Sequence, residues 1–203
     1  MKNRMKLIGV GGLPRSGKDS LAELFIQFGY FGISLGDLVR GFARERHKDT
    51  PDPISVANMT ETSNWLRERQ GVDVFLQEAL HQFNEHRSNG KKDKGLVLWS
   101  IRVPLEVDWI LNHGGELIWI DANDAVRHQR HLKHLREGEL PISLQEFKKQ
   151  EALQWQPQPG LAKEAQMDIS YVKSRATKLL TNNGDDIEAF KAEAEKALSH
   201  LLN

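Results

Sequence analysis

The chain has 203 residues, with 28 Lys plus Arg against 28 Asp plus Glu, no cysteine, 39% hydrophobic and 28% charged residues. That length suits one sizeable domain with insertions and an ample buried core. Balanced charge speaks against a protein that coats nucleic acid or an anionic membrane, both held chiefly by surplus Lys and Arg, and without cysteine neither a disulfide framework nor a thiolate metal site is possible.

Met1 to Arg4 lead straight into a short apolar run, Lys6–Val10, without the longer apolar core of a signal peptide. A glycine cluster follows, then Leu21, Leu24, Phe25 and Phe28 recur at helical spacing, and Phe31–Ser34 reads as a second strand. The longest uncharged stretch, between Glu23 and Asp37, is shorter than the ~20 apolar residues of a membrane helix and is broken by glycines. Asp37–Lys48 reads as a helix stopped by Pro51 and Pro53. Val56, Met59, Ser63 and Leu66 share one helix face, as do Leu76, Leu80 and Phe83 after the break at Gly71. Arg87–Gly95 is a polar surface loop.

Leu96–Trp99 and Leu117–Ile120 are continuous apolar runs, the pattern of strands covered on both faces, with a helix over Leu105–Leu111 between them. Val126, Leu132 and Leu135 mark a strongly basic helix ending near Gly138, and Ser143 with Glu146 forms a capping box for the helix after Pro141. Trp155–Gly160 reads as a loop and Lys178–Thr181 as the last strand. Ile187, Phe190, Ala194, Ala197 and Leu201 are the inward stripe of the final helix. Strands alternating with helices predict a three-layer α/β fold, a parallel sheet of about five strands with helices on both faces, in one domain spanning residues 1–203. Ligands of such sheets bind at the carboxyl ends of the strands. The expected protein is cytoplasmic, a monomer or homodimer, with neither nucleic acid nor membrane as partner.

Directly after the first strand stands Gly12-Leu13-Pro14-Arg15-Ser16-Gly17-Lys18-Asp19-Ser20, with Gly12, Gly17 and Lys18 at the Walker A spacing. Glycines let backbone N–H groups curl around a polyphosphate, and the helix opening near Lys18 aims its positive dipole end at the same anion. A glycine-rich strand-to-helix turn is the bland alternative; the position between a first strand and an amphipathic helix favours phosphate binding. Lys18 is then the cation for the β- and γ-phosphates, and Gly12, Arg15, Ser16 and Gly17 the cradle. Asp19 replaces the Ser or Thr that normally ligates Mg²⁺, and Ser20 follows it; either can hold the metal. The dinucleotide fingerprint fails, because Pro14 stands where the third glycine belongs.

Ser34-Leu35-Gly36-Asp37-Leu38-Val39-Arg40 resembles the Ser-x-Gly-Asp-x-x-Arg segment of adenylate kinase and its P-loop nucleoside monophosphate kinase relatives, and Arg15–Ser20 is similar to the Gly-Lys-Asp-Thr form of phage-type deoxynucleoside monophosphate kinases. The resemblance implies ATP and Mg²⁺ as donor and cofactor, and a nucleoside or deoxynucleoside monophosphate as acceptor. It makes Arg40 a ligand of the acceptor's phosphate and sets Asp37 beside metal and phosphates. Trp99-Ser100-Ile101-Arg102 with Glu106 resembles the family's Asp-x-Arg segment, so Arg102 also grips acceptor phosphate; the Walker B aspartate is replaced by Ser100 or Trp99, depending on alignment. After Asp121-Ala122, Arg127 and Arg130 match the family's donor-base and lid arginines and are expected to neutralise the transition state, whereas Lys133, His134 and Arg136 fit equally a solvated basic face. His128, His131 and His134 lack the supporting pattern of a zinc site. Arg175–Gly184 is similar to the adenine-bordering segment of dephospho-CoA kinases and related archaeal nucleotide kinases, which puts Asn182 or Asn183 under the donor base. The family's acceptor-binding insertion corresponds to about 37–90 and its lid to about 127–145. A dephospho-CoA or other small-molecule kinase, and a non-catalytic nucleotide sensor or ATPase, are the rival readings.

Overall fold

The computed structural model describes residues 6–136, 139–153, 163 and 166–202. The expected loop Trp155–Gly160 lies outside the described residues, and the helix expected to end near Gly138 ends at Lys133.

Five strands, β1 (Lys6–Gly12), β2 (Phe31–Ser34), β3 (Gly95–Ile101), β4 (Glu116–Asp121) and β5 (Lys178–Thr181), pair in the order β2-β3-β1-β4-β5, every pair parallel. The two-residue side-chain period divides their apolar residues between the two faces. Leu7, Leu96, Leu98, Leu117 and Trp119 pack with Phe75, Ile110 and Val172 on one side. Ile8, Val10, Val97, Ile118 and Ile120 pack with Leu21, Phe25 and Phe190 on the other. The helices are α1 (Lys18–Gln27), α2 (Leu35–Arg46), α3 (Val56–Gln70), α4 (Val74–Ser88), α5 (Pro104–Asn112), α6 (Asp124–Lys133), α7 (Leu144–Leu153), α8 (Ile169–Ser174), α9 (Ile187–Ala197) and α10 (Ser199–Leu202), of which α1, α4, α5, α8 and α9 supply these partners. Helices on both faces of an all-parallel sheet make the three-layer α/β architecture. Because β1 lies between β3 and β4 while the chain visits β2 first, the strand order switches direction at β1, and its carboxyl end opens the crevice where such sheets bind ligands.

Three amphipathic stripes fold differently from their periodicity. In α3 the inward residues are Thr62, Ser63, Leu66 and Arg67, and Val56 in the first turn is 59% exposed. At the C-terminus α9 stops at Ala197, so Leu198 and Leu201 are buried while Ile187 and Ala197 face solvent. In α6 the apolar residues turn outward: Leu132 is 45% and Leu135 41% exposed, and Arg127 and His131 are buried instead. The cause is bonding. Every N–H of the Arg127 guanidinium meets an acceptor, so its burial leaves no donor unpaired. Ser143 Oγ accepts from the Glu146 N–H at 3.2 Å, the capping-box half that opens α7. Among the described residues, no helix is long and apolar enough to cross a membrane.

Candidate phosphate-binding site

The loop between β1 and α1 is shaped by two glycines that admit no side chain. Gly12 has φ +156°, and a Cβ there would lie within 3.0 Å of both Ser16 Oγ and the Ile120 carbonyl. Gly17, the residue before α1, has φ +106°, and a Cβ would strike Asn182 Nδ2. Arg15 takes φ +65°, a left-handed conformation uncommon for a residue with a side chain, and the Ser16 N–H closes a turn on the Leu13 carbonyl at 3.2 Å. Ser16 is fully buried and its hydroxyl has no hydrogen-bond partner among the described residues. Buried polar groups are seldom left unpaired, so this orphan marks a loop built around something it does not itself contain.

Lys18 is 3% exposed. Burial, reinforced by Arg102, Arg136 and Arg15 and opposed by Asp19, pushes its ammonium down to about 8 from the usual 10.5. A lysine whose folded value is depressed carries a cost that is fully present below about pH 8 and vanishes as pH rises toward 10.5, where the unfolded chain also loses the proton. The cost at neutral pH is about 3 kcal/mol. Lys18→Met is therefore expected to be more stable than the wild type at pH 7, with the gap in urea-unfolding free energy shrinking by about 2–3 kcal/mol by pH 10. A gap independent of pH would contradict the burial of a charged Lys18.

Other cations close in on the same loop. Arg102, partly buried beyond the end of β3, is lowered by burial and by the charges of Arg136 and Arg40, with Glu106 and Asp19 opposing. The buried Glu106 carboxylate accepts from the Arg102 N–H at 2.9 Å and fixes that corner of the backbone. Arg40, on the second turn of α2, pairs with Asp37; α2 begins two residues earlier than its sequence suggests because Ser34 Oγ accepts from the Asp37 N–H at 3.1 Å. Asp37 is largely exposed at that helix start. Ser20 lies partly buried in the first turn of α1.

Asp19 is not free. Its Oδ1 accepts from the Trp99 indole N–H at 3.0 Å, and its Oδ2 from Arg136 Nη2 at 2.9 Å. Trp99 stands on β3 at one of the two positions, with Ser100, where the sequence reading places a missing acid. Ser100 next to it takes φ +64°, and the register with β1 slips there from Val10↔Trp99 to Gly11↔Ile101.

Two arginines sit elsewhere than expected. Arg127 is 1% exposed and spends its donors on Glu151, Asp124, and the Ala122 and Pro14 carbonyls. Arg130 donates to the carbonyls of Arg15, Asn182 and Gly184 and to Asn182 Oδ1. Both spend donors on the backbone carbonyls of the loop itself, Arg127 on Pro14 and Arg130 on Arg15 and Ser16. Asn182, 3% exposed, is likewise bound to the loop, donating from Nδ2 to the Ser16 carbonyl at 2.9 Å; Asn183 Oδ1 accepts from the Asn123 N–H at 2.7 Å. The arginine from this region that does reach the front of the loop is Arg136. Beside it, Glu139 pairs with Arg15 and accepts from the Arg136 N–H at 2.9 Å. Sequence reasoning set Arg136 on a helix face because it extended α6 to Gly138; the helix ends at Lys133 and leaves Arg136 on the connection, able to turn inward. His128 and His131 meet the carbonyls of Ile142 and Leu140.

No protein-family model matches the chain. A UPF0200 protein of Pyrobaculum aerophilum is 28% identical over 199 residues, covering 97% of this chain and 99% of the relative. Another, of Methanocaldococcus jannaschii, is 31% identical over 138 residues, 66% of each chain. Among solved structures, TT1252 from Thermus thermophilus superposes with a TM-score of 0.59 at 19% identity, covering 98% of this chain and 99% of that one. A shikimate kinase from Bacteroides thetaiotaomicron superposes with a TM-score of 0.54 at 14% identity, covering 96% and 99%. The five-stranded parallel sheet, the glycine-bounded loop after β1 and these superpositions together show that the chain has the three-layer α/β fold of P-loop kinases.

Proposed function

We propose that the protein is an ATP-dependent phosphotransferase that moves the γ-phosphoryl group of ATP onto the phosphate of a nucleoside or deoxynucleoside monophosphate. The observation that carries this reading is the crowding of Lys18, Arg15, Arg102, Arg136 and Arg40 around one loop, each of the first four electrostatically coupled to others of the set. Cations held this close repel one another until anions arrive, and five of them exceed what one donor needs.

The loop amides and Lys18 hold the donor's β- and γ-phosphates. Arg40 and Arg102, coupled to each other, hold the acceptor's phosphate; the surface pair Arg40–Asp37 is weak enough to yield to it. Arg136 neutralises charge that develops between them, the part first expected of Arg127 and Arg130. An acceptor oxygen bonds to the γ-phosphorus as its bond to the β–γ bridging oxygen breaks, and ADP leaves with that electron pair. Because the acceptor is already an anion, no side-chain base is required. The available metal donors, the Asp19 and Asp37 carboxylates and the Ser20 hydroxyl, are hard oxygens that suit Mg²⁺. Among the described residues there is no group of three or more His, Asp or Glu that could hold a metal ion. Held there with the nucleotide, Mg²⁺ would supply charge neutralisation to the phosphates.

The rest of the acceptor is assigned to a cleft of about 360 Å³ lined by Phe42, Trp65, Leu66, Arg46 and Thr62. Phe42, on its wall, stands about 9 Å along α2 from Gly36 at 1.5 Å per residue. Thr62 Oγ1 is buried beneath it without a hydrogen-bond partner among the described residues.

ADP release measured across a panel of monophosphates and dephospho-CoA tests the proposal. Release that depends on a nucleoside monophosphate supports it, preference for dephospho-CoA changes the acceptor, and binding without turnover overturns it. Arg40→Ala is expected to raise the acceptor's KM or depress kcat by about tenfold or more while leaving ATP binding within about twofold. Equal loss of ATP binding would assign Arg40 to the donor.

A further inference from the structure

We propose that Trp99 is a positioning residue for the metal side of the donor site, acting through the Asp19 carboxylate; the proposal rests on the donor reading above. In P-loop proteins the loop ordinarily supplies a Ser or Thr hydroxyl and the neighbouring strand an aspartate, both serving Mg²⁺. Here the polarity is exchanged. The loop residue Asp19 is the acceptor and the strand residue Trp99 the donor, joined by the 3.0 Å bond from Nε1 to Oδ1. An indole N–H can only donate, so Trp99 cannot replace the strand acid as a ligand of a metal or of its water. What it can do is fix a carboxylate that serves in that acid's place.

The geometry fits that task. β3 lies inside the sheet, with Trp99 registered to Val10 on one side and Ser34 on the other, so the backbone that carries the indole is rigid. Gly32 makes room for the ring: a Cβ there would stand 3.2 Å from Trp99 Cζ3 and 2.5 Å from Ile26 Cδ1. A larger residue at position 32 would crowd both Ile26 and the ring. The second carboxylate oxygen is held differently, by Arg136 Nη2 at 2.9 Å, on a side chain that is 43% exposed. One oxygen is thus clamped by a packed donor and the other covered by a movable cation, whose charge a divalent ion can replace. Donors that orient a ligating group typically change metal affinity 10- to 100-fold when removed.

The test uses the whole chain with the non-hydrolysable analogue AMP-PNP and Mn²⁺, free Mn²⁺ being read by electron paramagnetic resonance. Trp99→Phe keeps an aromatic ring and removes the N–H. It is expected to weaken Mn²⁺ binding by about tenfold or more, with AMP-PNP affinity in EDTA within about twofold of wild type. Asp19→Asn is expected to cost at least as much, and the double variant no more than Asp19→Asn alone, because Trp99 acts only through the carboxylate. Unchanged Mn²⁺ affinity in Trp99→Phe, or losses that add in the double variant, would overturn the proposal. Should Trp99→Phe fail to fold, the wild type decides: bound Mn²⁺·AMP-PNP broadens the assigned Trp99 indole N–H resonance if the metal sits at Asp19, and a sharp resonance refutes it. A wild type that binds no Mn²⁺·AMP-PNP would instead bring down the donor reading, and this proposal with it.

Discussion

Lys18→Ala is expected to lower kcat/KM by on the order of 10²- to 10³-fold, the usual consequence of removing one preorganised donor from developing charge. Two features of the site place the effect at the upper end of that range. The ammonium is almost fully enclosed, so its attraction to phosphate is little screened by water, and burial has already stripped its hydration before any substrate arrives. The same enclosure gives the variant an unusual signature. Because the buried charge costs stability, Lys18→Ala loses activity while its thermal midpoint stays level or rises, which steady-state kinetics and differential scanning fluorimetry together can read. Parallel loss of both would mean that Lys18 holds the fold instead of the substrate.

Arg127→Ala is expected to do the reverse. Its guanidinium joins α6 to α7 through Glu151, pairs with Asp124 on its own helix, and reaches the loop after β1 through the Pro14 carbonyl. Removing one partner of a buried ion pair and leaving the other uncompensated costs about 3–5 kcal/mol. For a domain of this size that corresponds to a fall in Tm of roughly 10 °C. Activity falls as well, since the loop loses its brace, but it recovers at low temperature where the variant is folded. Arg136→Ala supplies the contrast. Its pair with Asp19 is about half exposed on both sides and adds little to stability, so Tm stays put. Turnover drops by on the order of 10³-fold if Arg136 meets the transferring group as other cationic fingers do. Kinetics and melting of the two variants side by side would expose an exchange of roles.

The sheet was legible because strands covered on both faces announce themselves as unbroken apolar runs: Leu96–Trp99 and Leu117–Ile120 lie within β3 and β4, and Phe31–Ser34 and Lys178–Thr181 coincide with β2 and β5. The loop after β1 was legible as a loop because Gly12 and Gly17 are demanded by backbone geometry that tolerates a side chain poorly. What failed was the inference from periodicity to burial wherever polar groups satisfy one another. α6 buries Arg127 and exposes Leu132 because hydrogen bonding overrode its apolar stripe, a choice decided by Glu151, which lies 24 residues further along the chain. Arg136 was misplaced by an overlong helix. The bond between Trp99 and Asp19 spans 80 residues and joins residue types that no local pattern couples. Each residue seemed a separate departure from the usual motif; in the fold they are one departure.

The central claim is that the backbone from Gly12 to Lys18 encloses an anionic polyphosphate. Isothermal titration of inorganic tripolyphosphate into the wild type and Lys18→Ala tests it without any assumption about the acceptor. The account predicts one site per chain, competition by ATP, affinity that falls with salt, and a loss of about tenfold or more in the variant. Absence of binding heat and of competition by ATP, or equal binding to both proteins, would contradict it.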